Sequence, residues 1–237
     1  MRIATVLLGV LAAACSDPSD QLEQTTDFRV GLEPGEPNSG ERGTIQIVEV
    51  LWSGTVTNDG AWDSTDVFVE LRNEGVRPVN LTGWRLTMTG PRQMTWRIPP
   101  SEVELGVGEH RFAAAKNRGC FAEPDWVIPG LGFSYGDPFM LTLRDADERL
   151  IDSAGNREAP PYGGGYDGRV SRSMEKVSLM FGGRGTEPHS WHFYNRAPVD
   201  IPNDDRMNAN CRQRTGASPG RPNSPDYSGA FASGNFE

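Results

Sequence analysis

Positive charge is scarce in this sequence: 23 Lys and Arg stand against 32 Asp and Glu, a formal net charge of −9. That balance disfavours a phosphate-backbone partner, because such partners are held by clustered cations. Long apolar runs are also missing. The longest, residues 3–14, falls short of the roughly 20 apolar residues that a membrane-spanning helix needs. Nor does any stretch sustain helical periodicity. With 28 Gly and 18 Pro, well above average usage, the chain favours many short turns, and an all-helical protein is excluded. Leu, Ile, Val and Phe make up about a fifth of the residues, near the limit at which a chain stops burying a core, but six Trp argue for a fold. No internal repeat is present.

Met1-Arg2 puts one positive charge ahead of the apolar run, which ends at Cys15. The length and order are those of a secretory signal peptide, residues 1–14. Leu11-Ala12-Ala13-Ala14-Cys15 resembles the lipobox of bacterial lipoproteins, with Ala12 where Leu is commoner. The resemblance implies lipidation at Cys15, which becomes the new N-terminus. At roughly 0.8 kcal/mol per buried methylene, even two acyl chains hold a protein stably on a bilayer. Ser16, standing where a retained lipoprotein would carry Asp, implies a lipid-anchored place in the cell envelope, at the outer membrane. The alternative is plain secretion, with cleavage after another small residue. Residues 15–43 then form the lipidated N-terminus and an acidic flexible linker, with Asp17, Asp20, Glu23, Asp27, Glu33, Glu36 and Glu41 against Arg29 and Arg42, broken by Pro18, Pro34 and Pro37. Such a self-repelling coil spans roughly 30 Å. The alternative is an ordered extension lying on the domain.

From residue 44 onward, runs rich in β-branched and aromatic residues recur between turn signals, at 44–52, 66–73, 81–87, 93–98, 109–115, 138–145, 170–179 and 190–194. In one of them Val67, Val69 and Leu71 share a face while Asp66, Phe68, Glu70 and Arg72 share the other, the pattern of a half-buried strand. Asn58-Asp59-Gly60, Asn73-Glu74-Gly75 and Asp145-Ala146-Asp147-Glu148 are turn candidates. About eight short strands predict an all-β sandwich over residues 44–223. Residues 155–169, with Pro160, Pro161 and Gly163 to Gly165, read as a long loop, and 224–237 as a flexible C-terminal tail.

Four islands on these strands resemble the lamin tail domain family, an immunoglobulin-like β-sandwich. They are Val69-Glu70-Leu71-Arg72-Asn73; Asn80-Leu81-Thr82-Gly83-Trp84-Arg85-Leu86; Ser173-Met174-Glu175-Lys176-Val177 with Ser190-Trp191; and Ser218-Pro219-Gly220-Arg221-Pro222-Asn223. They occur in family order, with Ser218 where Thr is usual and with longer segments at 99–137 and 155–169. The coiled-coil rod of nuclear lamins is absent, so a filament-forming role does not carry over. Each island also has a packing reading. Leu81, Trp84 and Leu86 fit a core strand, with Gly83 at a close backbone approach; Trp191 fits a second core anchor. Gly220 fits a special turn, and Pro219 and Pro222 end the last strand. None is assigned a ligand.

Setting Cys15 aside leaves Cys120 and Cys211, an even pair in an oxidising compartment, and a disulfide between them is expected. It closes a loop of about 90 residues, for which the chain-entropy ceiling is roughly 4.6 kcal/mol; two free thiols are the alternative. Gly132-Phe133-Ser134-Tyr135-Gly136 matches the nucleophile-elbow pattern, but Pro129-Gly130 precedes it and Asp137-Pro138 leads into a strand, so the strand-turn-helix context fails. Gly163-Gly164-Gly165-Tyr166-Asp167-Gly168 matches a dinucleotide fingerprint by letter, yet no helix follows to hold a pyrophosphate. His189 and His192, three apart on an expected strand, point to opposite faces and cannot chelate together. His110 has no recognisable partner. Asp200, Asn203, Asp204, Asp205, Asn208 and Asn210 are dense oxygen ligands for Ca²⁺ without the EF-hand spacing.

The reading that results is a lipid-anchored envelope module with no catalytic residues, no cofactor and no assigned metal. It binds an envelope protein or polysaccharide through exposed loops including 155–169. Two alternatives are a hydrolase using Ser134 with His189 or His192, and a calcium-stabilised surface adhesion module.

Overall fold

Short runs with apolar residues at a period of two bury one face of a strand each, and a second sheet must cover that face. The computed structural model describes residues 42–177, 184–195 and 206–226. The expected signal peptide, Cys15, the expected linker up to residue 41, Asp200, Asn203, Asp204, Asp205 and residues 227–237 lie outside the described residues. The strands are β1 (Ile45–Leu51), β2 (Thr55–Val56), β3 (Trp62–Asp63), β4 (Phe68–Asn73), β5 (Arg85–Thr89), β6 (Met94–Arg97), β7 (His110–Ala114), β8 (Trp126–Val127), β9 (Phe139–Arg144), β10 (Leu150–Asn156), β11 (Gly165–Tyr166), β12 (Ser171–Arg172), β13 (Met174–Lys176), β14 (Trp191–Phe193) and β15 (Thr215–Gly216). A 3-10 turn, Pro188–Ser190, leads into β14. The fold is all-β.

A six-stranded sheet in the order β14-β13-β1-β4-β7-β8 faces a four-stranded sheet in the order β10-β9-β5-β6. Between them lies a core to which the first sheet gives Ile45, Ile47, Val50, Val69, Leu71 and Trp191, and the second gives Leu86, Trp96, Leu141, Leu143 and Ile151. The layers are those of a β-sandwich. Small sheets, β11-β12-β15 and β2-β3, sit on the connections.

The outer face of the six-stranded sheet is covered too, which the half-buried pattern of residues 66–73 does not anticipate. Phe68 and Glu70 are fully buried. A second core of Leu51, Phe68, Phe112, Phe121, Met207 and the two cysteines lies there, with Phe68 edge-on to Phe112 and Phe121 at 5.6 and 4.8 Å. Cys120 and Cys211 form the expected disulfide, with Cα atoms 5.6 Å apart and a sequence separation of 91.

The pairing of β1 with β4 shifts register between Ile47 and Glu49. This bulge inserts Val48 and changes which parity faces inward. Ile45 and Ile47 enter the inter-sheet core, but beyond the bulge it is Val50 and Trp52 that do so. Glu49 and Leu51 are thereby turned to the outer face. Without the extra residue, Glu49 would share the inward face with Ile45 and Ile47.

Four expectations need correction. Residues 81–84 form a turn rather than the start of a strand, closed by Trp84 N–H donating to Leu81 O at 3.1 Å. Gly83 has open space around its α-carbon and is required there for its φ of +78°, not for a close approach. Residues 155–169 are not all loop: they contain the end of β10 and all of β11. The tail assignment also starts too early, since Ser224 is buried.

Replacing both Cys120 and Cys211 by Ala is expected to lower stability by about 2–4 kcal/mol, or about 2–4 °C in thermal midpoint per kcal/mol. In the wild type neither cysteine should take up an alkylating agent before reduction.

Candidate functional site

The small sheets and the loops beside them bring five aromatic rings to one surface. Trp52 follows β1, Trp62 lies on β3, Tyr135 sits in the loop before β9, Tyr166 lies on β11 and Phe193 on β14. Trp62 and Tyr166 are stacked, with centroids 4.9 Å apart and planes at 13°. Tyr135 meets Trp62 edge-on at 5.6 Å and reaches Trp52 at 5.8 Å, and Trp52 contacts Phe139 of the core at 6.4 Å. A line of rings therefore runs from the interior to solvent.

The polar atoms of three of these rings are tied to backbone. Trp52 Nε1 donates to Gly163 O at 2.9 Å, Trp62 Nε1 to Ser53 O at 2.9 Å, and the Tyr135 hydroxyl to Tyr166 O at 2.6 Å. The rings are held in position, yet Trp62, Tyr135 and Phe193 remain 41%, 50% and 45% exposed. Beside them is an open cavity of about 350 Å³ lined by Trp52, Tyr135, Tyr166, Asp167, Arg172 and Phe193 among others. Arg172 lies over the Phe193 ring at 5.5 Å. Asp167 Oδ1 accepts from Arg169 and Val170 N–H, each at 2.9 Å, and these bonds hold its carboxyl below the usual carboxylate range.

The glycines of the fingerprint-like run have a structural cause. A Cβ on Gly163 would lie 2.7 Å from His192 O; one on Gly164, whose φ is +70°, would lie 2.5 Å from Arg172 O; one on Gly165 would lie 3.3 Å from the Trp52 indole. The segment passes so close to β12, β14 and Trp52 that side chains have no room. Tyr166 continues into β11, so no helix terminus faces a phosphate.

On the outer face of the six-stranded sheet a second constellation forms. Glu49 pairs directly with Glu175 on one neighbouring strand and with Glu70 on the other, and all three are fully buried. Residues 217–224 cross over them as a strap. Ser218 N–H donates to Glu49 Oε1 at 2.9 Å, and its Oγ stands 3.0 Å from Glu49 Oε2 and 2.7 Å from Glu175 Oε1. One hydroxyl hydrogen cannot serve two carboxylates, so this bridge closes only with a proton held on one of the two carboxyls. Gly220 N–H donates to Glu70, and Ser224 donates N–H and hydroxyl to Glu175. Asn223 Nδ2 spans Val48 O at the bulge, at 2.9 Å, and Lys176 O, at 2.8 Å. Gly220 has the expected special turn, with φ of +73°. The last family-like island is thus the cover over this row, and its residues act in packing.

Burial, reinforced by the neighbouring Glu175 and Glu70, pushes Glu49 well above the ordinary glutamate range; burial does the same to Glu70. His110, for which the sequence offers no partner, has Nδ1 2.7 Å from Glu70 Oε1. Burial, with Arg72 adding to it, lowers His110 to about 4. Both shifts favour the neutral pair, with the proton on Glu70.

The other candidates are not assembled into a centre. Ser134 lies in an irregular loop before β9 with no helix after it, and among the described residues no hydrogen bond joins it to a histidine. His189 and His192 are not on one strand: His189 is in the 3-10 turn, exposed and 3.1 Å from Glu187, whereas His192 on β14 is buried, with Nδ1 2.9 Å from Phe193 O. Of the oxygen-rich segment, Asn208 and Asn210 are described, and both staple loops. Asn208 Nδ2 donates to Gly119 O, and Asn210 O accepts from Asn58 N–H at 2.6 Å. Among the described residues no cluster of three His, Cys, Asp or Glu side chains could hold a metal ion.

The aromatic surface is the feature that sequence reasoning passes over. Its signal is there in retrospect: Trp62, Tyr135 and Tyr166 stand in Gly- and Asp-rich stretches, where no alternating strand exists to bury them. No model of a known protein family matches the chain, and no curated protein matches it.

The glutamate row sets a pH dependence. For Glu49 and Glu70 the folded values are raised, so their contribution is complete below the ordinary glutamate value and is lost as pH climbs through the raised ones. For His110 it is complete above the ordinary 6.5 and lost as pH falls toward about 4. Glu49→Gln keeps the size and removes one titration. Relative to wild type, its thermal midpoint should be higher around pH 8 than around pH 4 by several degrees, at about 2–4 °C per kcal/mol; parallel midpoints across that span would refute the assignment.

Proposed function

We propose that this chain is a non-catalytic binding module displayed at the cell envelope. Acylation at Cys15 anchors it, residues 16–43 space it from the bilayer, and a sandwich of the immunoglobulin-like, lamin-tail type presents its loops outward. The partner is an envelope polysaccharide or protein. The observation that carries this reading is the surface of Trp62, Tyr135 and Phe193, large rings left in solvent, with Tyr166 stacked on Trp62 and with the polar atoms of Trp62 and Tyr135 already committed to backbone. Exposed rings grouped on loops and fixed before contact suit recognition, since little freedom is lost on binding. The loops that carry them include part of 155–169. Reactive chemistry has no comparable support, because Ser134 and the three histidines each stand in separate surroundings.

Two measurements test this. Labelled fatty acid should enter the wild-type chain and not Cys15→Ser, which should leave the membrane fraction. The mature chain added to intact cells should be retained, and Trp62→Ala combined with Tyr135→Ala should weaken retention about tenfold or more, equivalent to about 1.4 kcal/mol, while the thermal midpoint stays within a few degrees. Retention unaffected by the double substitution would rule this surface out as the contact.

A further inference from the structure

We infer that the aromatic surface beside β11 and β14 is a carbohydrate-binding platform that takes a neutral pyranose chain, an inference that rests on the binding reading above and names its ligand class. A pyranose has a face of C–H groups and a rim of hydroxyls, each of which both donates and accepts. A site for it needs flat ring faces to stack on and, at their edge, one fixed acceptor and one fixed multiple donor.

The cavity of about 350 Å³ supplies that combination. Its ring walls are Trp52, Tyr135, Tyr166 and Phe193, and the stacked Trp62 extends the shelf beyond it. Its polar edge is Asp167 and Arg172. The Asp167 carboxylate is pinned by the two backbone N–H bonds to Oδ1. The Arg172 guanidinium, a planar fork of five donors, rests on the Phe193 ring. The volume lies near the lower end of the roughly 300–1,000 Å³ of small-molecule sites, and the cavity is open, so a chain can run through it and onto the Trp62–Tyr166 shelf.

Other occupants fit less well. Polyanions, including nucleic acids and acidic glycans, meet a chain of net charge −9 and a carboxylate in the site itself. The core of a protein interface is depleted in Asp, whereas the edge of this cavity presents the Asp167 carboxylate. A lipid tail offers no donor to the Asp167 carboxylate and no acceptor to the Arg172 guanidinium.

The test uses the mature chain carrying Cys15→Ser, which is free of acyl groups. It is titrated with neutral oligosaccharides built of glucose, xylose, mannose and N-acetylglucosamine, and with a sulfated polysaccharide as the anionic control, following indole fluorescence. One or more neutral oligosaccharides should change the emission saturably. Trp62→Ala and Arg172→Ala should each weaken that binding at least tenfold at unchanged thermal midpoint, Trp62→Tyr should recover part of it, and the anionic control should bind no better. In parallel, periodate treatment of cells should abolish retention of the chain, and surface proteolysis should leave it intact. Retention lost to proteolysis and kept after periodate overturns the glycan assignment while leaving a binding module. Retention absent from untreated cells, with no oligosaccharide bound, overturns the binding reading as well. Saturable binding that Trp62→Ala and Arg172→Ala leave unchanged overturns the location.

Discussion

Three carboxyl groups side by side on neighbouring strands are the constraint around which this molecule is arranged. Glu175, Glu49 and Glu70 occupy successive strands of the six-stranded sheet, and directly opposed like charges destabilise a sheet. They are tolerated because a single strap, residues 217–224, brings backbone or hydroxyl donors to each carboxyl in turn, and because burial favours the protonated forms of Glu49 and Glu70. The strap is itself held in place through the disulfide that fixes the segment before it. Removing any one layer exposes the next: the disulfide core flanks the glutamates, and the glutamates anchor the cover.

This explains why the sheet that looks half-exposed from its alternation is buried on both sides. Alternation along residues 66–73 correctly separates Val67, Val69 and Leu71 from Phe68 and Glu70, and it establishes that two faces exist. It does not say that a distant segment will return to cover the second. Similarly, the inward and outward residues of β1 cannot be read by simple parity, since the bulge at Val48 reverses it halfway along. β10 is hidden by the same device. Its pairing with β9 shifts between Leu150 and Asp152, so Ile151 and Ala154 both reach the core without alternating.

Much of the architecture is nonetheless legible. The all-β class follows from the turn-forming composition, most of the longer strands from β-branched and aromatic runs, the disulfide from arithmetic on three cysteines, and the core anchors Trp84 and Trp191 from their large indoles, although Trp84 closes a turn and does not lie on a strand. The two letter-perfect motifs lack the helix that each needs: β11 lies within one and an irregular loop carries the other. What stayed hidden depends on long-range approach: the partner of His110 is on another strand, and the rings of the surface are gathered from five separate segments. The two-residue strands that gather them are too short to leave a periodic signal.

The triple glycine beneath that surface has one more consequence. Gly163 and Gly164 are closed by neighbouring backbone and Gly165 is held at a φ of +121° that side chains rarely adopt, so the path of the loop is not free to drift, whereas Tyr135, Tyr166, Asp167, Arg172 and Phe193 project from it and from its neighbours. Diversification at this site is therefore decoupled from the scaffold: what the surface prefers can be rewritten by exchanging side chains on an invariant backbone, which makes it a natural starting point for selecting altered recognition from a small combinatorial library.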